Sequence, residues 1–288
     1  MDTVLIIDSC TDLPVEYVEK NNIPLVSLVC NFKGGEYKDD FGRTLDYKEF
    51  YKEVRNGEMP STSQVNVYEF TEIFKRYTSE GKAVIYLAFS SALSGSHNSA
   101  VLAKEMICEQ NKDADITVID SRSASLGEGL LVYYAIEMLN KGASKDEIVS
   151  WLENNKLKVN HWFTVDDLGH LKRGGRVSGT TAFVGKLLDI KPILHVDNEG
   201  RLIPVTKVKG RKKSIKALYE ALEENIVEPE EQIIAISHGD CLEDANSLAE
   251  MIQKNYKVKD IIINYVGPVI GSHSGPGTLA LFFMGKKR

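Results

Sequence analysis

Hydroxyls, cations and one imidazole gather in four segments of this chain. Pro60-Ser61-Thr62-Ser63-Gln64 and Ser90-Ser91-Ala92-Leu93-Ser94-Gly95-Ser96 supply the hydroxyls. Leu171-Lys172-Arg173-Gly174-Gly175-Arg176 sets three cations among glycines, and residues 267–277, rich in glycine and proline, carry His273. Hydroxyls beside the free N–H groups of a helix N-terminus suit a carboxylate or a phosphate. Each segment also has an ordinary role. The serines and threonines cap helices, the basic run ends a helix against its dipole with a glycine stop, and a lone histidine satisfies loop backbone.

Familiar catalytic signatures are missing. A phosphate-binding loop needs GxxxxGK[ST], and residues 179–186 have one residue too many between their glycines. Residues 275–280 fit GxG followed by alanine, yet no acidic residue stands about twenty positions onward, as a dinucleotide site requires. The centre of Gly271-Ser272-His273-Ser274-Gly275 is histidine where a nucleophile elbow has serine. The six histidines form no HExxH and no other close metal spacing.

Composition narrows the class further. With 43% apolar and 26% charged residues, the 288-residue chain can build a sizeable core, and that length favours two domains. The formal net charge of −6 offers no field to collect nucleic acid. Asp2 stands where a secretory signal needs a basic region. The apolar stretches at 130–139 and 278–284 fall short of the ~20 residues that span a bilayer. Cys10, Cys30, Cys108 and Cys241 make no CxxC pair, which fits a reducing cytoplasm.

The elements that must position these segments read as alternating strands and helices in the first half. Apolar runs at 4–8, 24–32, 83–89 and 116–120 predict strands, and Lys33-Gly34-Gly35 predicts a turn. Helical spacing follows at 13–20, 46–55, 67–79, 94–109 and 126–140. That order implies a parallel sheet with helices on both faces. Residues 154–160 turn polar and read as a linker. Beyond them come a hairpin (190–196 and 201–208, around Asp197-Asn198-Glu199-Gly200), helices at 212–226 and 242–255, and strands at 232–237 and 260–266. The fold expected is α/β in two domains: a parallel-sheet α/β domain over residues 1–157 and an α+β domain over residues 158–288. The second has a mixed sheet with helices on one side.

Taken together, the segments resemble the bacterial DegV family, which is similar to the fatty-acid-binding subunit of the fatty acid kinase system. The matching residues are Ile7-Asp8-Ser9 with Thr11-Asp12-Leu13, then Pro60 to Gln64, then Ser90-Ser91 with Leu93-Ser94-Gly95. Leu171 to Arg176 and Gly271-Ser272-His273-Ser274-Gly275-Pro276-Gly277 follow in the same order, so the likeness covers essentially the whole chain. Val65 replaces a usual proline, and Ser96 and Ser274 replace usual threonines, so no hydroxyl is lost.

The resemblance implies a ligand tunnel between the two domains and a long-chain fatty acid, about C16–C18, as the bound ligand. Thr62 and Ser94 would hold its carboxylate with His273 close by, supported by Ser63, Gly95 and Ser96. Arg173, Arg201 and then Arg176 would contact an acyl phosphate or a partner. No catalytic residue, metal or other cofactor is expected. With no phosphate-binding loop or kinase signature here, ATP must arrive on a separate fatty acid kinase. Two other readings stay open: a stand-alone enzyme on a small carboxylate or phosphate with His273 as acid or base, and a regulator whose lipid is a structural filler.

Overall fold

The computed structural model describes residues 2–177 and 189–288. The stretch 179–186, weighed as a phosphate loop, lies outside the described residues.

The first half runs β1 (Thr3–Asp8), α1 (Val15–Lys20), β2 (Leu25–Val26), β3 (Val29–Phe32), β4 (Gly35–Lys38), α2 (Tyr47–Arg55) and β5 (Ser61–Ser63). It continues through α3 (Val67–Ser79), β6 (Ala83–Ala88), α4 (Ser96–Gln110), β7 (Ile116–Asp120), α5 (Leu126–Asn140) and α6 (Lys145–Asn155). Four strands form a parallel sheet in the order β2-β1-β6-β7. All six residues of β6 are buried, which explains its unbroken apolar sequence. Helices α3 and α4 pack together against this sheet, and α5 and α6 together make a second layer, so helices cover both faces as expected.

The expected strand at 24–32 is two strands in different sheets. Leu25 and Val26 pair with β1, and the chain then bends where the Leu28 N–H donates to Ser9 Oγ at 3.1 Å. From Val29 the burial alternates, with Cys30 and Phe32 inward, as suits a half-covered strand. β3 turns into β4 through Lys33 and Gly34, both at positive φ (51° and 79°), the conformation a two-residue hairpin needs. β5 then pairs with the other edge of β3, placing Thr62 opposite Cys30. The hydroxyl segment at 61–63 is therefore a strand, and the cap of α3 is Asn66, which accepts the Glu69 N–H at 3.0 Å.

The second half runs β8 (Val159–Thr164), α7 (Leu168–Arg173), β9 (Ile190–Val196), β10 (Leu202–Lys209), α8 (Arg211–Asn225) and β11 (Ile233–His238). It ends with α9 (Leu242–Asn255), β12 (Asp260–Tyr265), α10 (Pro268–Ser274) and β13 (Leu279–Met284). Six strands form a mixed sheet in the order β10-β9-β8-β13-β11-β12, with only β11 and β12 parallel. The segment expected as a linker, 154–160, instead ends α6, makes a 3-10 turn at Lys156–Lys158 and opens β8, a central strand.

Period-two alternation gives this sheet two different faces. Leu279, Leu281 and Phe283 pack with Ile234, Ile236 and residues of α8 and α9. Ala280, Phe282, Phe163 and His161 point the other way, toward α5 and a cavity. Helices on one side only was the expectation; α5 covers the second face, because it is hydrophobic nearly all round and packs on both sheets. The halves are also tied at the β9–β10 turn, where Ser90 Oγ donates to the Gly200 carbonyl and Arg122 Nη1 to that of Asn198, each at 2.9 Å.

Candidate functional site

The glycine and proline run expected as a loop contains α10. Pro268 opens this helix with the fixed φ a first turn accepts, and Gly275 at φ 79° ends it. α10 packs on β3, β5 and α7, so His273 near its end faces Thr62 in the middle of β5. His273 Nε2 lies 2.8 Å from Thr62 Oγ1. Gly174, which follows α7, makes this approach possible: a Cβ there would stand 2.2 Å from His273 Nδ1.

Ser94 lies in the loop between β6 and α4. Its hydroxyl accepts the Ser96 N–H at 3.2 Å and sits 3.1 Å from Ser96 Oγ. Ser96 Oγ in turn accepts the Val65 N–H, and Gln64 Nε2 donates to Ser99 Oγ at 3.0 Å. These bonds lash the segment after β5 onto the first turn of α4. Gly95 is needed there, since a Cβ would come within 2.1 Å of Gln64 Oε1.

Thr62, Ser94, Gly95 and His273 share one cavity. It opens beyond the carboxyl end of β6, where parallel sheets bind ligands, and runs under the inner face of the mixed sheet. Its remaining wall is mostly apolar, with Leu28, Phe89, Phe163, Leu202, Val269 and Phe282 drawn from six different places in the chain.

Electrostatics favour an anion at the polar end. Burial, and then the neighbouring Arg176 guanidinium, push His273 down to about 4. His273 is thus neutral at pH 7, with one ring nitrogen free to donate. Arg176 lines the cavity and donates to the carbonyls of Leu93 (3.2 Å) and Gly174 (2.5 Å). Arg173 lines an adjoining outer cavity, which Thr62, Arg176 and His273 also border. Its Nη2 lies 3.0 Å from His170 Nδ1.

The other expected residues stand elsewhere. Ser63 is exposed and Ser96 is buried with its hydroxyl engaged; neither lines the two cavities. Arg201 is exposed at the β9–β10 turn and borders neither.

Three serines of the wall were not anticipated as ligand residues. Ser274 is 4% exposed, lines the main cavity, and its Oγ has no hydrogen-bond partner among the described residues. Its side chain was visible as a hydroxyl in the terminal motif, but nothing in the sequence says which way it points. Ser125 and Ser237 also line the cavity, and no local pattern marks them.

The first motif, around Asp8 and Asp12, supports the site from behind. Asp8 accepts the Phe89 N–H and the Tyr86 hydroxyl, both at 2.8 Å, and so fixes the start of the Ser94 loop. Asp12 accepts the Gly267 N–H at 2.9 Å, just ahead of α10. Burial raises Asp8 to about 6 and Asp12 to about 7, against the lowering effect of these bonds. Among the described residues no cluster of three or more His, Cys, Asp or Glu is arranged to hold a metal ion, and no helix is long and apolar enough to cross a membrane.

The sequence model of the DegV family, described as uncharacterised proteins, matches residues 2–286. A DegV domain-containing protein of Clostridium perfringens is 54% identical over 282 residues, covering 98% of this chain and 97% of its own. The crystal structure of DegV from Bacillus subtilis, described as a fatty acid binding protein, aligns with a TM-score of 0.85 at 34% identity. That alignment covers 99% of this chain and 100% of the other. A DegV family protein from Thermus thermophilus, described for its fatty acid binding, aligns with a TM-score of 0.90 at 30% identity over 99% and 100% of the two chains. With the matched motifs, these likenesses over nearly the full length establish that this chain belongs to the DegV family.

Proposed function

We propose that the protein binds a long-chain fatty acid of about sixteen to eighteen carbons, its acyl chain in the apolar cavity. The carboxylate rests on Thr62, Ser94 and His273, with Ser274 as a fourth donor. The observation that carries this reading is an apolar cavity whose polar end is a threonine, a serine and a neutral histidine in one place. Burying about fifteen methylenes at ~0.8 kcal/mol each supplies on the order of 12 kcal/mol gross, before the costs of association. The structural relatives that bind fatty acids support the ligand class.

A separate kinase then phosphorylates the held carboxylate. Arg173 and Arg176 border the outer cavity beside Thr62 and His273, where the added phosphate would emerge. Arg201, exposed away from both cavities, suits a contact with the partner. His273 serves as a hydrogen-bonding residue, and the protein is a carrier that catalyses nothing itself. It works in the cytoplasm, with the domain boundary at residues 157/158, where every strand of the parallel sheet precedes and every strand of the mixed sheet follows.

Native mass spectrometry of protein made in a bacterial host tests the ligand. The expected result is a bound C16–C18 fatty acid, released on denaturation. Protein that carries no acyl chain and takes up none from solution refutes the reading.

A further inference from the structure

The cavity wall contains a second polar place, formed by Ser125 and Ser237, that the carboxylate site does not use. Ser125 precedes α5 and Ser237 lies near the end of β11; their hydroxyl oxygens are 2.8 Å apart. Ser125 also donates to a carboxylate oxygen of Asp12. Both serines line the cavity, at 5% and 0% exposure. Ser125 holds φ 55° and ψ −146°, a conformation that residues with a side chain seldom adopt and that collects at functional sites.

Counting donors shows what the pair can do. With Asp12 ionised, the Ser125 hydroxyl donates to Asp12 and the Ser237 hydroxyl donates to Ser125. Both protons are then committed, and Ser237 Oγ keeps a lone pair for the cavity. With Asp12 protonated the chain of bonds reverses, and Ser237 turns a donor to the cavity. A plain methylene chain leaves that lone pair unused in the first arrangement, and in the second it leaves the Ser237 donor without a partner. An alcohol satisfies both, since it can donate or accept. We infer that Ser125 and Ser237 form a subsite for a hydroxyl group on the acyl chain, so the protein takes hydroxy fatty acids. This rests on the fatty acid reading above and refines its ligand class.

The test uses the delipidated full-length protein, stearic acid, and a series of hydroxyoctadecanoic acids with the hydroxyl moved along the chain. Dissociation constants are measured for each on the wild type, Ser237→Ala and Ser237→Thr. Ser237→Ala leaves the Asp12–Ser125 bond in place, and Ser237→Thr keeps the hydroxyl. At least one positional isomer is expected to bind the wild type as tightly as stearate or more so. Its affinity relative to stearate should fall at least tenfold in Ser237→Ala and return in Ser237→Thr, as when a site built for a substrate hydroxyl loses its partner. Two results overturn the subsite: every isomer binding the wild type more than tenfold more weakly than stearate, or a ratio that Ser237→Ala leaves unchanged. Failure of stearate and all isomers to bind the wild type would instead overturn the fatty acid reading, and this inference with it.

Discussion

Thr62 and His273 are 211 residues apart in sequence and 2.8 Å apart at their Oγ1 and Nε2 atoms. One is on a three-residue strand of a small antiparallel sheet and the other on a seven-residue helix. Ser94 reaches the same cavity from the loop after β6. The proposed head-group site therefore draws on three distant segments of the chain, and its integrity depends on how they pack together.

Removing either hydroxyl should weaken binding without unfolding the chain. Thr62→Val and Ser94→Ala each lose a bond to a charged group, which costs about 1.5–3 kcal/mol, roughly tenfold to a hundredfold in affinity. Calorimetric titration with palmitate reads this directly. Wild-type affinity in either variant would leave that residue a purely local role.

Ser274→Ala separates a ligand donor from a structural one. Its buried hydroxyl has no protein partner among the described residues, so its removal should leave thermal stability unchanged or raised. Palmitate affinity should drop about tenfold if that hydroxyl finds the carboxylate. Loss of stability with no change in affinity would contradict the assignment.

Gly174→Ala acts on the histidine at one remove. The added methyl would meet His273 Nδ1 at 2.2 Å, so the imidazole or α7 must shift. Palmitate binding should weaken while circular dichroism stays native. Retained affinity would mean that His273 does not need its place.

Asp12 gives the stability curve a recognisable slope. Its carboxyl is raised by burial from 3.8 to about 7, so between these values the folded chain holds a proton that the unfolded chain has lost. Stability from this group therefore falls as pH rises through that window, by up to about 1.4 kcal/mol per pH unit. His238 and His273, both lowered to about 4 by burial first, act oppositely, adding stability as pH rises from about 4 to 6.5. Asp12→Asn removes the Asp12 share of the falling component and leaves that of Asp8 and the rising share of the two histidines in place. Urea denaturation at pH 5 and pH 7 should show the variant gaining on the wild type as pH rises, and a constant difference would contradict the shift.

Presentation to a kinase has its own readout. Arg173→Ala should keep palmitate binding and lower acyl-phosphate formation by a cognate kinase at least tenfold, ~1.4 kcal/mol. Arg201→Ala, remote from both cavities, should act on the apparent affinity for the kinase. Normal phosphorylation in both would place the partner surface elsewhere.

Local signals made parts of this architecture legible. α9 begins and ends where its spacing says, at Leu242 and Asn255, and Asp197 to Gly200 marks the β9–β10 turn. The strand β8 was hidden because polar Asn154 to Lys158 runs straight into it, and its pairing with β9 and β13 is long-range. β5 was hidden for a similar reason: three hydroxyl residues look like a helix cap until Asn66 takes that role and β3 supplies their pairing. Thr62, Ser94 and His273 stood out by motif, yet their meeting depends on that pairing and on α10 forming where a loop was expected. Ser125 could not be found at all from sequence, because its hydrogen-bond partners Asp12 and Ser237 lie 113 and 112 residues away.

The orientation of the bound ligand is the most direct test. A co-crystal structure with palmitate should show the carboxylate within hydrogen-bonding distance of Thr62 Oγ1, Ser94 Oγ and the His273 ring, and the chain running toward Phe163 and Phe282. Density for the acyl chain outside this cavity, or with its carboxylate at the Phe163 end, would contradict the account.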